Sequence, residues 1–293
     1  MTSADTAPVD PALNITLTDL PYNDGGTALT GVLCRNESFP GTRPGILLVH
    51  GGAGLDNHAR AQARRYAALG YVVLACDMFG EGIAGDRDRV LGCITALRDD
   101  PPAMVRRAQA GLAALSRCRG TLASPGTASP GTASPGMGAQ IAVIGFCFGG
   151  MVALALARSG ENLSGVVSIH GSLATTQRAA PGATRARILV CHGARDPHVP
   201  PRDVAAFAEE MNAAGADWEL IMYGGALHGF THADTHAAHT HAHADTHAAH
   251  TDTHTTHTQQ GAIPGVAYDP VADSRSFAAV SGFLADVLGW HRT

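Results

Sequence analysis

Residues 145–150 read Gly-Phe-Cys-Phe-Gly-Gly and stand between an apolar run at 141–144 and a segment with helical spacing at 151–158. A tight strand-to-helix turn with glycine on both sides of a nucleophile is the pattern of a nucleophile elbow. The glycines are needed because the strained backbone at the apex leaves no room for neighbouring side chains. The pattern predicts that the thiol of Cys147 lies at the carboxyl end of a core strand.

Short apolar runs alternate with helical segments on both sides of this elbow. The predicted strands are 14–19, 27–35, 46–49, 71–75, 141–144, 166–169, 188–191 and 218–222, and the predicted helices are 57–69, 102–118, 151–158, 201–214 and 274–288. The first two strands flank a turn sequence and predict an antiparallel hairpin. The alternation that follows predicts βαβ crossovers, and hence an α/β fold with a mostly parallel sheet and helices on both faces.

The length and composition favour one domain. The chain has 293 residues, of which 45% are hydrophobic and 15% are charged, so a substantial core can form. Two low-complexity segments carry little core: 124–136 repeats Ser-Pro-Gly-Thr-Ala, and 231–260 is rich in histidine, threonine and alanine. We expect a single domain over 1–293 with these two segments as insertions.

The charge and the cysteine pattern restrict the partners and the compartment. A net charge of -5 argues against nucleic acid or an anionic membrane as a partner and favours a small-molecule substrate. The six cysteines lack paired spacing, which favours a reducing compartment. Neither a basic-then-apolar leader nor a run of about 18 apolar residues is found, so a cytoplasmic location is expected. The oligomeric state, monomer or homodimer, is left open.

A thiol in an elbow becomes a catalyst when a base and an orienting acid can reach it. Asp196 lies in a turn after the predicted strand 188–191, and His228 lies in a glycine-lined loop after 218–222. Nucleophile, acid and base in this chain order are typical of α/β-hydrolases. The alternatives are an inert buried thiol at Cys147, an aspartate that only caps the next helix or its turn, and a structural loop histidine.

The backbone amides of Phe148 and Gly52 are the predicted oxyanion donors. In acyl transfer one donor follows the nucleophile, and the other comes from the loop after the first core strand. The alternative for Gly51 and Gly52 is a plain tight turn. Four further histidines at strand ends are interpreted as polar lining or structural residues: His50, His170, His192 and His198.

Several of these stretches together resemble the dienelactone hydrolase family of α/β-hydrolases. The similar stretches are 50–55, 64–73, 77–80, 145–150, the loop that holds Asp196, and 226–230, and the resemblance extends over 45–230 and 268–288. The resemblance implies an α/β-hydrolase fold and a Cys147, Asp196 and His228 triad. It also implies ester or lactone hydrolysis through a thioester, without a cofactor or a metal.

The chain also departs from the family pattern. The glutamate that family members carry after the first core strand is replaced by Gly51, so the catalytic histidine would have to activate the thiol directly. Glu81 and His232 stand near the places of two substrate-binding arginines, which makes dienelactone itself an unexpected substrate. Arg87 or Arg89 could replace those arginines, and a solvated charged loop is the alternative for both.

The histidine-rich tract offers a rival function. Nine histidines between His232 and His257 could bind zinc, nickel or copper, although the tract repeats HADTHAAHT with a period of 11 residues, which indicates repeat expansion. A second rival is a hydrolase fold that binds a ligand without catalysis, because fold alone does not establish activity. The complete set of triad residue types argues against this second rival.

Overall fold

A computed structural model describes residues 14–120, 140–233 and 263–291. The strands within these residues are β1 (Ile15–Asp24), β2 (Thr27–Asn36), β3 (Gly45–Val49), β4 (Val72–Cys76), β5 (Ile141–Phe146), β6 (Gly165–Ile169), β7 (Arg187–Gly193) and β8 (Trp218–Tyr223). The helices are α1 (Asn57–Ala67), α2 (Arg87–Asp99), α3 (Pro101–Gly120), α4 (Phe148–Arg158), α5 (Pro201–Ala214) and α6 (Pro270–Leu288).

These strands form one sheet in the order β1-β2-β4-β3-β5-β6-β7-β8. Strand β2 pairs antiparallel with both β1 and β4, whereas every pair from β4 to β8 is parallel. The predicted entry hairpin and the predicted mostly parallel sheet are confirmed. Because consecutive parallel strands all end at the same edge, the loops after β3, β5, β7 and β8 meet there.

Helices cover both faces of the sheet, as expected. Helices α1 and α6 pack on one face, where Tyr66 and Leu284 are buried. Helices α3, α4 and α5 cover the other face through residues such as Leu112, Val152 and Phe207. Strands β3 to β6 are buried along their whole length, which explains why they appear in the sequence as continuous apolar runs.

Helix α2 corrects one expectation. Arg87 and Arg89 lie in its first turn, so the interpretation of this segment as a loop is wrong, although both side chains are exposed. The side chain of Asp86 caps the helix by accepting a hydrogen bond from the backbone amide of Arg89 at 3.1 Å. Val90 and Leu97 are its buried residues, and their seven-residue separation is a helical signal in a mostly polar segment.

The two predicted insertions lie outside the described residues, apart from the first three positions of 231–260, so the single-domain organisation stays a prediction. Among the helices that the structure describes, none combines the length and the apolar character that a membrane crossing requires.

Candidate active site

The turn at 145–150 has the strained geometry that its sequence predicts. Cys147 has a φ of 53° and a ψ of -114°, a conformation that L residues rarely adopt. A Cβ atom on Gly145 would overlap the carbonyl oxygen of Gly149, and one on Gly149 would overlap that of Val49. The elbow therefore requires glycine at both positions because backbone atoms fill the space on each side.

The three predicted triad side chains meet at the carboxyl edge of the sheet. The Sγ atom of Cys147, at the end of β5, lies 3.1 Å from Nε2 of His228, in the loop after β8. Nδ1 of His228 lies 2.8 Å from Oδ2 of Asp196, in the loop after β7. These distances allow an unbroken hydrogen-bond chain from the thiol to the carboxylate.

Each partner is held by its own loop. The backbone amide of His198 donates to Oδ1 of Asp196 at 2.8 Å, which closes a turn and leaves Oδ2 for the histidine. The side chain of Asp196 does not cap α5, whose N-cap residue is Pro200. His228 is fixed by its own backbone, which forms an isolated β-bridge with Val266.

The electrostatics favour an ion pair between Cys147 and His228. Burial raises the pKa of the Cys147 thiol, but the hydrogen bond and charge of His228, together with the amides of Phe148 and Gly52, more than offset this, so the pKa lies below its ordinary value. Burial lowers the pKa of His228, whereas its hydrogen bonds to Asp196 and Cys147 raise it above the ordinary value. The pKa of Asp196 is lowered, because its bond to His228 outweighs its burial. All three directions favour a thiolate beside an imidazolium.

The two predicted oxyanion donors both favour the thiolate of Cys147. The amides of Phe148 and Gly52 each contribute to lowering the pKa of Cys147, as donors to a thiolate do. Nδ1 of His50 lies 2.7 Å from the carbonyl oxygen of Gly51, and Nε2 of His50 accepts from the amide of Met78 at 3.2 Å. Because a trans peptide directs its N–H away from its C=O, His50 turns the Gly52 amide toward the site.

Gly51 and Gly52 also form the turn that the alternative interpretation describes. The amide of Gly54 donates to the carbonyl oxygen of Gly51 at 3.2 Å. A Cβ atom on Gly52 would meet only Cδ1 of Ile94, at 3.6 Å, so steric room does not demand glycine there. The same short turn can thus close the loop and present an amide.

The other strand-end histidines surround the site. His50, His170 and His192 are buried, and burial is the largest cause that lowers the pKa of each. The ring of His198 lies 5.0 Å from that of His228, and the ring of His170 lies 5.3 Å from it on another side. These residues line the triad and do not interrupt it.

His232 borders the nucleophile. A Cβ atom on Gly51 would lie 3.6 Å from Cβ of Cys147 and 3.8 Å from Cε1 of His232, so the histidine ring flanks the space next to this glycine. The same ring stacks on that of His58 at 3.7 Å. Glu81 is exposed in the turn before α2. Sequence reasoning missed His58 and Thr231, because a histidine in α1 and a threonine after a phenylalanine carry no local signal of a site.

No three histidine, cysteine, aspartate or glutamate side chains in the described part of the chain come together as a metal site. The histidine-rich tract beyond Ala233 lies outside that part.

Comparisons with known proteins identify the family of the chain. The chain is 32% identical to a solved dienelactone hydrolase-like promiscuous phosphotriesterase from metagenomic libraries, with a TM-score of 0.73 over 94% of this chain and 99% of that one. It is 27% identical to an Escherichia coli protein provisionally named carboxymethylenebutenolidase, over 75% of this chain and 79% of the relative. It is 32% identical to an uncharacterized Caenorhabditis elegans protein, over 51% of this chain and 81% of the relative. The sequence profile of the dienelactone hydrolase family matches residues 29–258, and the chain belongs to this family of hydrolases.

Proposed function

We propose that this protein hydrolyses carboxylic esters or lactones through a thioester on Cys147. The observation that carries the proposal is the unbroken contact from Asp196 through His228 to the thiol of Cys147, whose pKa the backbone amides of Phe148 and Gly52 help to lower. A nucleophile, a base, an orienting acid and oxyanion donors are the complete set of groups that acyl transfer needs.

In the first half-reaction the Cys147 thiolate attacks the carbonyl carbon, and the carbonyl oxygen takes up the negative charge. The amides of Phe148 and Gly52 stabilise this oxyanion. When the intermediate collapses, the bond to the leaving oxygen breaks, and the His228 imidazolium donates its proton to that oxygen. The products are an alcohol, or the opened end of a lactone, and a thioester.

In the second half-reaction the neutral imidazole of His228 takes a proton from water, and the hydroxide attacks the thioester. The same amides stabilise the second oxyanion, and collapse releases the carboxylic acid and the Cys147 thiolate. Asp196 keeps His228 oriented throughout through its 2.8 Å hydrogen bond.

The preferred substrates in this proposal are neutral esters and lactones. A carboxylate substrate needs a charge-assisted partner when it is buried, and arginine supplies one best. The positions where family members carry such arginines hold Glu81, which is exposed, and His232, which stacks on His58.

The decisive test is a panel of short activated esters and lactones with the Cys147→Ala variant. We expect hydrolysis to fall at least about 10³-fold, because the alanine cannot form the thioester. Mass spectrometry of the quenched wild-type enzyme should find the acyl group on Cys147. The matched control is Cys93→Ala, which removes a partly buried thiol in α2 and should keep full turnover. Full turnover by Cys147→Ala would overturn the proposal.

Hydrolysis of neutral phosphotriesters is a second candidate. The observation that favours it is the 32% identity over 94% of this chain to a relative described as a promiscuous phosphotriesterase. Adding a neutral aryl phosphotriester to the same panel tests it, and release of the aryl alcohol that requires Cys147 would support it.

The histidine-rich tract is not required in this proposal. Because Thr231 and His232 contact residues of the site, the informative deletion removes 234–258 and keeps both. We expect this variant to hydrolyse the panel at the wild-type rate.

A further inference from the structure

His170, the residue directly after β6, is fully buried in a strained backbone conformation. Its φ is 41°, and Cys147 is the other non-glycine residue with a positive φ within the described part of the chain. Histidine enters this left-handed region more readily than most residues, but the conformation still costs free energy and persists only where surrounding contacts hold it. The contacts of His170 lead to both halves of the candidate active site.

The peptide group between Ile169 and His170 holds the nucleophile elbow. Its carbonyl oxygen accepts from the amide of Cys147 at 3.0 Å, and its N–H donates to the carbonyl oxygen of Cys191 in β7 at 2.8 Å. The first of these bonds continues the pairing of β5 with β6 one residue beyond the end of β5. Because a peptide group is planar, the two bonds together fix its orientation beside the elbow.

The imidazole of His170 holds the loop that carries His228. Its Nε2 atom lies 2.9 Å from the hydroxyl oxygen of Thr231, three residues after His228. The ring also packs edge-on against Phe230, with 5.1 Å between the ring centroids, and lies 5.3 Å from the ring of His228. Both His170 and Thr231 are buried, where a hydrogen bond is electrostatically stronger than at the surface.

Thr231 has a second partner, which anchors it from the other side. Its hydroxyl oxygen also lies 3.0 Å from Nε2 of His58 in α1. A hydroxyl carries one proton and two lone pairs, so it can donate to one ring and accept from the other. The loop that carries His228 is thereby joined both to α1 and to the end of β6.

We propose that His170 is a positioning residue that sets the distance between the Cys147 thiol and the His228 base. Its main chain is bonded to the elbow, and its ring is bonded to the base loop. Strands β6 and β7 separate β5 from β8 in the sheet, so a side chain at the end of β6 is placed to bridge the two loops. The inference rests on the proposed function, because it assigns His170 a role in that reaction.

The distance matters both for the ion pair and for the proton transfer. Sγ of Cys147 lies 3.1 Å from Nε2 of His228. At an effective dielectric constant of about 20, a lengthening by about 1 Å weakens the attraction between thiolate and imidazolium by about one pKa unit. A misplacement of about 1 Å can also lower a rate by about 100-fold. Loss of the bond between His170 and Thr231 should therefore raise the pKa of Cys147 and lower kcat together.

The main test compares Thr231→Val, which keeps the side-chain shape and removes the hydroxyl, with the wild type. We expect kcat for a short ester to fall by about tenfold to a hundredfold, while KM changes by less than about twofold. The midpoint pH of Cys147 alkylation by iodoacetamide, followed by mass spectrometry of the Cys147 peptide, should rise by about one unit. Thr231→Ser restores the hydroxyl and should return both values to those of the wild type. An unchanged midpoint in Thr231→Val, or an equally impaired Thr231→Ser, would overturn the proposal.

A double-mutant cycle separates the hydrogen bond from packing. In His170→Asn the new residue tolerates the left-handed backbone, but its side chain is too short to reach Thr231. If the two residues act through their shared bond, the double variant His170→Asn/Thr231→Val should be no slower than the slower of the single variants. Losses in kcat that multiply would contradict the proposal.

Ser281→Ala is the matched control, because it removes a partly buried hydroxyl of α6 that donates to the carbonyl oxygen of Phe277 at 2.7 Å. It should leave kcat and the alkylation midpoint unchanged. The Thr231 variants keep every titratable and charged group around the two rings, so a shifted midpoint does not come from a deleted charge. These groups are Cys147, Asp196, His58, His170, His192, His198, His228, His232, Arg65 and Asp273.

A readout that needs no turnover keeps this test apart from the test of the proposed function. In a crystal structure of Thr231→Val, the distance from Sγ of Cys147 to Nε2 of His228 should exceed that in a crystal structure of the wild type. An unchanged distance would overturn the positioning role whatever the ester panel shows. Because alkylation and crystallography can be carried out on a protein that hydrolyses nothing, failure of the ester panel and failure of this inference give different results.

Discussion

At the scale of single residues, the site depends on whether Cys147 or His228 carries the proton between them. Cys147 and His228 each stabilise the charged form of the other, and Asp196 further stabilises the protonated form of His228. Such a pair titrates as a unit, so its two apparent pKa values belong to the pair. Gly51 has no carboxylate that could activate the thiol. His228, which contacts the sulfur atom of Cys147 directly, is therefore the side chain placed to do so.

The pH dependence of thiolate formation follows from these directions. The thiolate should be half formed below the ordinary thiol pKa of 9.0, and kcat/KM should rise with pH through that midpoint. It should fall again as the pH passes the raised pKa of His228, because the leaving group then loses its proton donor. Alkylation rates between pH 4 and 11 measure the lower midpoint.

His228→Gln is the control variant for this prediction. Removing the imidazolium removes the strongest of the groups that lower the pKa of Cys147, so the alkylation midpoint should move upward. The same midpoint in wild type and variant would contradict the ion pair.

At the scale of elements, two short loops convert strand ends into a site. The elbow after β5 presents the Cys147 thiol and the Phe148 amide, and the loop after β3 presents the Gly52 amide. His50 joins the second loop to the end of β4, since one ring nitrogen contacts the carbonyl oxygen of Gly51 and the other accepts from Met78. The register of β3 between β4 and β5 therefore sets the distance between the two candidate oxyanion donors.

The prediction at this scale concerns His50. His50→Leu leaves the amide of Gly54 as the remaining donor to the Gly51 carbonyl oxygen, so the Gly52 amide is less well oriented. We expect kcat to fall by about tenfold with little change in KM. His50→Asn keeps a donor near the position of Nδ1 and should recover part of the loss. Equal kcat values for both variants would contradict the positioning role, and steady-state kinetics on a short ester measure it.

At the scale of the whole molecule, a buried ion pair connects the nucleophile helix to the next layer. Arg158, at the end of α4, lies 2.8 Å from Glu210 of α5, and their side chains are 6% and 3% exposed. Glu210 also accepts from the amide of Ala179, and Arg158 donates to the carbonyl oxygen of Leu173. The segment between β6 and β7, which holds Leu173 and Ala179, is thus hydrogen-bonded to both α4 and α5.

The prediction at this scale is a loss of stability. Glu210→Ala leaves a buried guanidinium without its partner, so the free energy of unfolding should fall by about 3 kcal/mol or more. The matched control is Glu219→Ala, which breaks an ion pair with Arg187 on the surface and should cost about 0.5 kcal/mol. Denaturant unfolding measures both, and equal losses would contradict the argument.

Much of the fold was predictable from local patterns. Continuous apolar runs identify β3 to β6 because these strands are buried on both faces, and the glycines at 145 and 149 identify the elbow because backbone atoms fill the space beside them. Helix α2 was missed because only Val90 and Leu97 are buried in it, which leaves a weak periodic signal.

The sequence by itself determined the fold class, the elbow and the three residue types of the candidate triad with their chain order, because each depends on local spacing and strand periodicity. Only the tertiary structure decided that Cys147, Asp196 and His228 lie within hydrogen-bond distance. It alone also brought His58 and Thr231 to the same site, 173 residues apart in the chain. The reason is physical: the crossovers of a parallel sheet bring distant loops to one edge, and no local pattern records which side chains meet there.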